Sequence, residues 1–271
     1  MLHAIRRSFS IKAAFVFFIA YILWFIYLHL PGVSGKSQLD WFTSTYGLLA
    51  LWGSIWGFII AKKWGWTRSV MGKATLLFAL GLLFQELGQL SYVYYIYFRN
   101  VELPYPSIGD LFFISIVPCY SLAVLFLAKA SGIRISLNSF AGKIQAILIP
   151  AAMVIVSYFV FLQGHEINLK EPVKIFFDFG YPLGDAIFIS LAILTYTLTK
   201  GVLGGVMKGK VLLLLIAMLF QYVADWTFLY QASRGLWSVS GMNDFIYLIA
   251  YFMMTIALLN LDTKAIKKHI E

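Results

Sequence analysis

The sequence predicts an all-α, polytopic membrane protein: eight transmembrane helices built as a parallel duplication of a four-helix unit, with both termini cytoplasmic. Three observations carry this. Of 271 residues, 61% are hydrophobic and 12% charged, and the mean hydropathy is +0.83, whereas a soluble domain is about half apolar and a quarter charged. Apolar runs long enough to cross about 30 Å of hydrocarbon recur eight times. Finally, the segment 83–94 returns without gaps at 219–230.

Span 1 covers 13–30. Arg6, Arg7 and Lys12 precede it as they would a secretory signal. Its apolar run exceeds a signal core, however, so it reads as the first membrane helix. Span 2, 42–61, is opened by Asp40 and carries "GSIWG" at 53–57, a small-xxx-small pattern suited to close helix packing. Span 3, 74–97, bears Gln85, Glu86 and Gln89 and then Tyr92, Tyr94, Tyr95 and Tyr97, an aromatic belt where the helix reaches the interface.

Span 4, 110–128, begins behind "YPSIGDLFF". Pro104 and Pro106 keep the incoming chain out of helix. Ser107, followed three residues later by Asp110, has the form of a capping box with Asp in place of Glu, and Asp110 also meets the positive end of the helix dipole. Cys119, the single cysteine, offers neither an intramolecular disulfide nor a thiolate metal cluster. Span 5, 144–163, carries no charged residue. Span 6, 179–199, contains "YPLGDAIFI", which either starts the helix as the earlier motif does or breaks it; in an unbroken helix Asp178, Tyr181 and Asp185 share a face. Span 7, 211–230, places Gln221 and Asp225 four residues apart on one face, and span 8, 244–261, opens at Asp244. Connections of about 10 to 16 residues leave no room for a soluble catalytic or DNA-binding domain.

The net charge of +9 sorts by side. Both ends and alternate connections carry sixteen of the 21 basic residues, in "AKKWGWTRSVMGK", "KASGIRISLNSFAGK", "TKGVLGGVMKGK" and the tail "TKAIKKHIE". By the positive-inside rule these face the cytoplasm. The excess is therefore a topology signal with a secondary attraction to anionic lipids, and nucleic acid is not expected as a partner. Ten of the 12 carboxylates then fall in the outer half: Asp40, Glu86, Glu102, Asp110, Glu166, Glu171, Asp178, Asp185, Asp225 and Asp244.

In the repeat, "LFQELGQLSYVY" lies on "LFQYVADWTFLY", pairing Gln85 with Gln221, Gly88 with Ala224 and Gln89 with Asp225. After a two-residue deletion "GDLFFI" meets "NDFIYL", pairing Asp110 with Asp244. Spans 3 and 4 thus correspond to spans 7 and 8, which divides the chain into repeats at 1–130 and 131–271. An even number of spans per repeat makes the halves parallel, and such folds commonly place a polar site between them.

A charge within a span costs about 2.5 to 3.5 kcal/mol on insertion scales. Glu86 and Asp225, each roughly 20 Å into the membrane by helical rise, are therefore expected to face a shared outward cavity. Gln85, Gln89, Gln221, Asp110, Asp178, Asp185, Asp244 and Tyr92 complete the candidate ligand-binding or relay set. Uncharged amides also serve as interhelical glue, and capping alone accounts for much of the aspartate pattern. No catalytic or metal-ligating residues and no cofactor are expected: four scattered histidines, no lysine within spans 3 to 8, and no nucleophile or nucleotide motif exclude the usual membrane chemistries. An intramembrane enzyme is accordingly the minor alternative.

"YPSIGDLFF" and "YPLGDAIF" resemble the P-S-x-x-D and Y-P-x-x-D turns that open consecutive membrane helices in the multi-pass N-terminal sensor regions of some bacterial diguanylate cyclases and histidine kinases. The similarity covers roughly 75–261, and no cyclase or kinase follows Asp262. The resemblance implies a sensory module in a prokaryotic cell membrane that signals through a membrane or cytoplasmic partner. Its ligand is expected to be a small cation or a lipid headgroup; the alternative is a proton- or cation-coupled transporter or channel.

Overall fold

The computed structural model describes residues 9–32, 35–101, 104–133, 138–163, 169–199 and 205–262. Among them every regular element is helical, and eight helices are long and apolar enough to cross a membrane. Both termini, Glu102 and Glu166 lie outside the described residues. Span 1 is α1 (Phe9–Leu28); span 2 is α2 (Lys36–Thr45) followed by α3 (Leu48–Lys63); span 3 is α4 (Val70–Val93), extended by a π-helical turn at Tyr94–Phe98. Spans 4 to 8 are α5 (Ile108–Ala130), α6 (Phe140–Ser157, extended at Tyr158–Leu162), α7 (Pro172–Thr199), α8 (Gly205–Ser233) and α9 (Met242–Leu259).

Helices form where hydrocarbon leaves backbone groups no other partner, and local chemistry sets their ends. The Ser69 and Ser139 side chains cap α4 and α6 by accepting from Gly72 N at 2.8 Å and Gly142 N at 3.0 Å. At the end of α8, Gly235 takes φ 64°, which lets Leu236 N reach Gln231 O at 2.8 Å and Gly235 N reach Ala232 O at 3.2 Å, a Schellman turn. The helices outrun the apolar stretches, so Lys73, Lys174, Lys208 and Lys210 fall in their end turns, where the sequence had placed no lysine within spans 3 to 8.

Six spans close into a ring. α3 packs on α4, α4 on α5, α5 on α7, α7 on α8, α8 on α9, and α9 back on α3. α1 flanks α9 and α3, while α6 lies outside against α7 and buries little beyond Gly142 and Ser157. Ile147, Leu148 and Ile155 of α6, with Val16, Ile19 and Leu23 of α1, present the exposed apolar faces that lipid requires. The ring closes tightly because Gly53 and Gly57 of "GSIWG" are buried: a Cβ on Gly53 would stand 2.2 Å from Thr255 Oγ1 and 2.8 Å from Leu82 Cδ1, and one on Gly57 2.7 Å from Ala79 Cβ. Small residues let helices approach in this way.

One end of the ring holds Lys63, Lys73 and Lys210. Lys63 pairs with Asp262 at 2.8 Å, Lys210 Nζ donates to Asn260 O at 2.6 Å, and Lys73 lies 5.4 Å over the Phe126 ring. Phe78, Leu82, Val124, Leu214 and Leu258, each fully buried, fill the adjoining half of the interior.

Candidate functional site

At the opposite end of the ring lies a cavity of about 100 Å³, room for several waters or a ligand of modest size. It is bordered by Asp40, Asp110, Asp185, Asp225 and Asp244, by Tyr46, Tyr92, Tyr181, Tyr247 and Tyr251, and by Trp237. Apolar Phe113, Ile116, Val117, Phe228 and Leu229 fill the spaces between. No Lys, Arg or His is among the lining residues.

Two of the acids start helices. Asp110 Oδ2 accepts from Ser107 N at 2.7 Å and Ser107 Oγ at 2.9 Å, as the capping pattern predicts. Its other oxygen accepts from the Tyr181 hydroxyl at 2.8 Å. Asp244, near the start of α9, accepts from Ser240 N at 2.8 Å, from Thr43 Oγ1 at 2.7 Å and, on its second oxygen, from the Tyr46 hydroxyl at 3.4 Å. Each capping acid is thus tied to a second helix through a tyrosine.

Asp225 lies mid-helix in α8. Its oxygens accept from Gln221 Nε2 at 2.9 and 3.1 Å, and Oδ1 also accepts from the Tyr247 hydroxyl at 2.8 Å. α7 runs unbroken through Pro182, which of the two sequence alternatives is the continuous helix, tolerated in a membrane where neighbours satisfy the freed backbone groups. On that helix Tyr181 reaches Asp110 and Asp185 lines the cavity. Asp178 does not border the cavity and instead accepts from the Tyr105 hydroxyl at 2.6 Å. Burial, with the Asp178 and Asp110 carboxylates, raises the Tyr105 phenol far above its ordinary range, so it remains a donor. Asp185 is different from all of these. Only 6% exposed, it borders the cavity and interacts electrostatically with Asp225, but no hydrogen-bond donor reaches it among the described residues.

The glutamines divide. Gln89, lining the cavity, donates through Nε2 to the Thr43 carbonyl. That carbonyl is freed because span 2 is interrupted at Tyr46 and Gly47, and the Thr45 carbonyl, freed by the same break, accepts from the Tyr21 hydroxyl at 2.7 Å. Gln85 accepts from the Tyr251 hydroxyl at 2.9 Å. Neither Gln85 nor Gln221 is among the lining residues; both lie deeper in the ring.

Glu86 corrects the expectation of a cavity shared with Asp225. It does not border the cavity. One turn before Gln89 on α4, it points at the break in span 2, where a Cβ on Gly47 would stand 2.2 Å from Glu86 Oε2 and 3.3 Å from Gln89 Cγ. The glycine makes the space that the carboxylate occupies, and that oxygen is buried without a hydrogen-bond partner among the described residues.

The sequence reading also passed over Thr43, Tyr46, Asn243, Tyr247 and Tyr251. For α9 a signal existed: Asn243, Tyr247 and Tyr251 recur every four residues and define one helix face. Thr43 and Tyr46 gave none, since their role depends on the contact between spans 2 and 8. No group of three or more His, Cys, Asp or Glu side chains among the described residues is arranged to hold a metal ion. Comparison with protein families, curated proteins and solved structures finds no match.

Proposed function

We propose that the chain is a receptor-like sensory module of the cell membrane that takes a small cationic ligand into this cavity from the outside, with both termini cytoplasmic. The carrying observation is the lining: aspartates of α5, α7, α8 and α9 converge with tyrosines on one space that no basic side chain borders. Carboxylates in a membrane interior require donors, a cation or a proton, and a cation is the complement that this lining lacks. The outward direction is supported by the basic side chains gathered at the other end of the ring. The packed interior beneath, with Phe78, Leu82 and Leu258 fully buried, favours binding over conduction.

Asp110 and Asp185 are the aspartates of the two turns that resemble bacterial sensor regions, and both border the cavity. A parallel duplication with repeats at 1–130 and 131–271 fits the packing. Spans 2, 3 and 4 form one half of the ring and spans 6, 7 and 8 the other, with equivalent seams where α5 meets α7 and α9 meets α3. The seams carry corresponding pairs: Tyr181 on Asp110 and Tyr46 on Asp244. So do the aligned helices. A Cβ on Gly109 would lie 3.4 Å from Gly88 O, and at the aligned positions Asn243 Nδ2 donates to Ala224 O at 3.1 Å. The cavity lies between the two halves, so a ligand that draws acids from both together alters their relative packing, a change that a cytoplasmic or membrane partner can read.

The interrupted span 2 favours a second reading, a cation transporter, because broken helices beside a mid-membrane site are a transporter device. The test is labelling. With Cys119→Ser as background and Val117→Cys in the cavity wall, a membrane-impermeant cationic methanethiosulfonate added outside cells should react at least about tenfold faster than its anionic counterpart, reflecting the local field. No labelling, or equal rates, would overturn the proposal. Proteoliposomes loaded with tetraethylammonium should release none above protein-free vesicles; release establishes the transporter.

A further inference from the structure

The hydrogen-bond inventory of the cavity narrows the ligand. Asp110, Asp225 and Asp244 each already accept from at least two protein groups. Asp185 accepts from none among the described residues, although it is 6% exposed and borders the same cavity as Asp225. A buried carboxylate without donors costs far more than one with them, so this position is built around a group that the chain does not supply. A group that fills it brings N–H or O–H donors, and positive charge suits a space bordered by five carboxylates and no base.

A metal ion does not fit, since no acidic cluster of the necessary geometry exists among the described residues. A quaternary ammonium brings charge without a donor. An anion would meet five carboxylates and no base. We infer that the ligand presents a protonated primary amine to Asp185, with an apolar body lying against Phe113, Val117, Phe228 and Leu229. Three N–H groups serve both Asp185 oxygens and leave one for Asp225, relieving the repulsion between the two acids. The apolar wall rewards chain length, at about 0.8 kcal/mol per buried methylene. The inference rests on the cavity reading above and adds the chemical class of its occupant.

The same amine chemistry exists free and in an ethanolamine lipid headgroup, and the test separates them. The full chain in phosphatidylcholine nanodiscs is titrated calorimetrically with n-hexylamine, n-hexanol and hexyltrimethylammonium. Hexylamine should bind saturably, with the other two weaker by about tenfold or more, the worth of a charge-assisted hydrogen bond. Asp185→Asn, checked for fold by circular dichroism, should reduce the affinity for hexylamine by a similar factor. Equal binding of hexyltrimethylammonium or hexanol overturns the inference on the unaltered chain, whatever the variant does, and so does an Asp185→Asn chain that binds unchanged. Replacing half of the lipid with phosphatidylethanolamine should lower the apparent affinity if the headgroup is the source and leave it unchanged if the free amine is; either result supports the primary amine. If the cationic reagent still prefers position 117 but hexylamine does not bind, the amine falls and the acidic cavity stands.

Discussion

At the scale of single residues, the four cavity acids borne on α5, α7, α8 and α9 differ in what they do for the fold, and that difference can be measured. Asp244 joins three elements through Thr43, Tyr46 and Ser240. Asn in its place can accept on one oxygen only and turns an NH₂ towards donors. Asp244→Asn should therefore lower stability by about 1–3 kcal/mol, the cost of unmade buried hydrogen bonds, seen as a fall in the thermal midpoint in detergent. Among the described residues Asp185 has no donor to lose, and it shares its cavity with Asp225. Asp185→Asn should raise the midpoint while impairing binding, the exchange expected where a site is held at the expense of stability. A midpoint that falls as far for Asp185→Asn as for Asp244→Asn would mean that Asp185 is structural and would remove the reason for assigning it a ligand. Tyr251→Phe supplies the third case: it takes the donor from Gln85 Oε1, whose Nε2 already lacks a partner, and should destabilise by about 1 kcal/mol without touching Asp185.

At the scale of helices, the α4–α5 contact depends on what is absent. A Cβ on Gly81 would stand 2.1 Å from Tyr120 Cε1 and 2.6 Å from Cδ1, and Tyr120 is fully buried, so the ring cannot swing aside. Gly81→Ala should cost about 1–3 kcal/mol by overpacking and separate the two helices; adding Tyr120→Leu should restore much of the loss in thermal melting. The sequence made the spans legible because hydrocarbon thickness imposes a length and composition that no soluble helix needs, and the Ser107–Asp110 start of α5 because capping is local. The interruption of span 2 was not legible. "TSTYGLLA" is apolar enough to continue as helix, and only the Gln89 amide on the Thr43 carbonyl and the Tyr21 hydroxyl on the Thr45 carbonyl, from two other spans, stabilise the break. Glu86 shows the same limit: periodicity fixes which residues share a face, but that its carboxylate meets the break in span 2 follows from the ring order, and the ring order is tertiary.

At the scale of the whole molecule, orientation and assembly can be tested separately from the ligand. The ion pair of Lys63 with Asp262 and the bond from Lys210 to the Asn260 carbonyl gather the ends of spans 2, 7 and 8 on one side, so reporter fusions after residue 63 and after residue 262 should both read cytoplasmic and fusions after residue 100 and residue 235 both external; any split within either pair contradicts the ring itself. Assembly follows from the seams. If spans 1 to 4 and 5 to 8 are repeats, each half brings three consecutive ring helices whose internal contacts are sequential, and the two meet where α5 packs on α7, where α9 packs on α3 and α4, and through α1 on α9. Those seams include the bonds from Tyr181 to Asp110 and from Thr43 to Asp244, and helices already inserted in lipid need only lateral docking to form them. Residues 1–130 and 131–271 expressed as separate chains should therefore co-purify from the membrane as a complex that retains cationic labelling at position 117, whereas a cut between spans 3 and 4, which divides the extensively packed α4–α5 pair, should yield less. Fragments that insert but never associate, or a cut at residue 100 that reassembles better than one at residue 130, would show that the four-span unit is not the unit of construction.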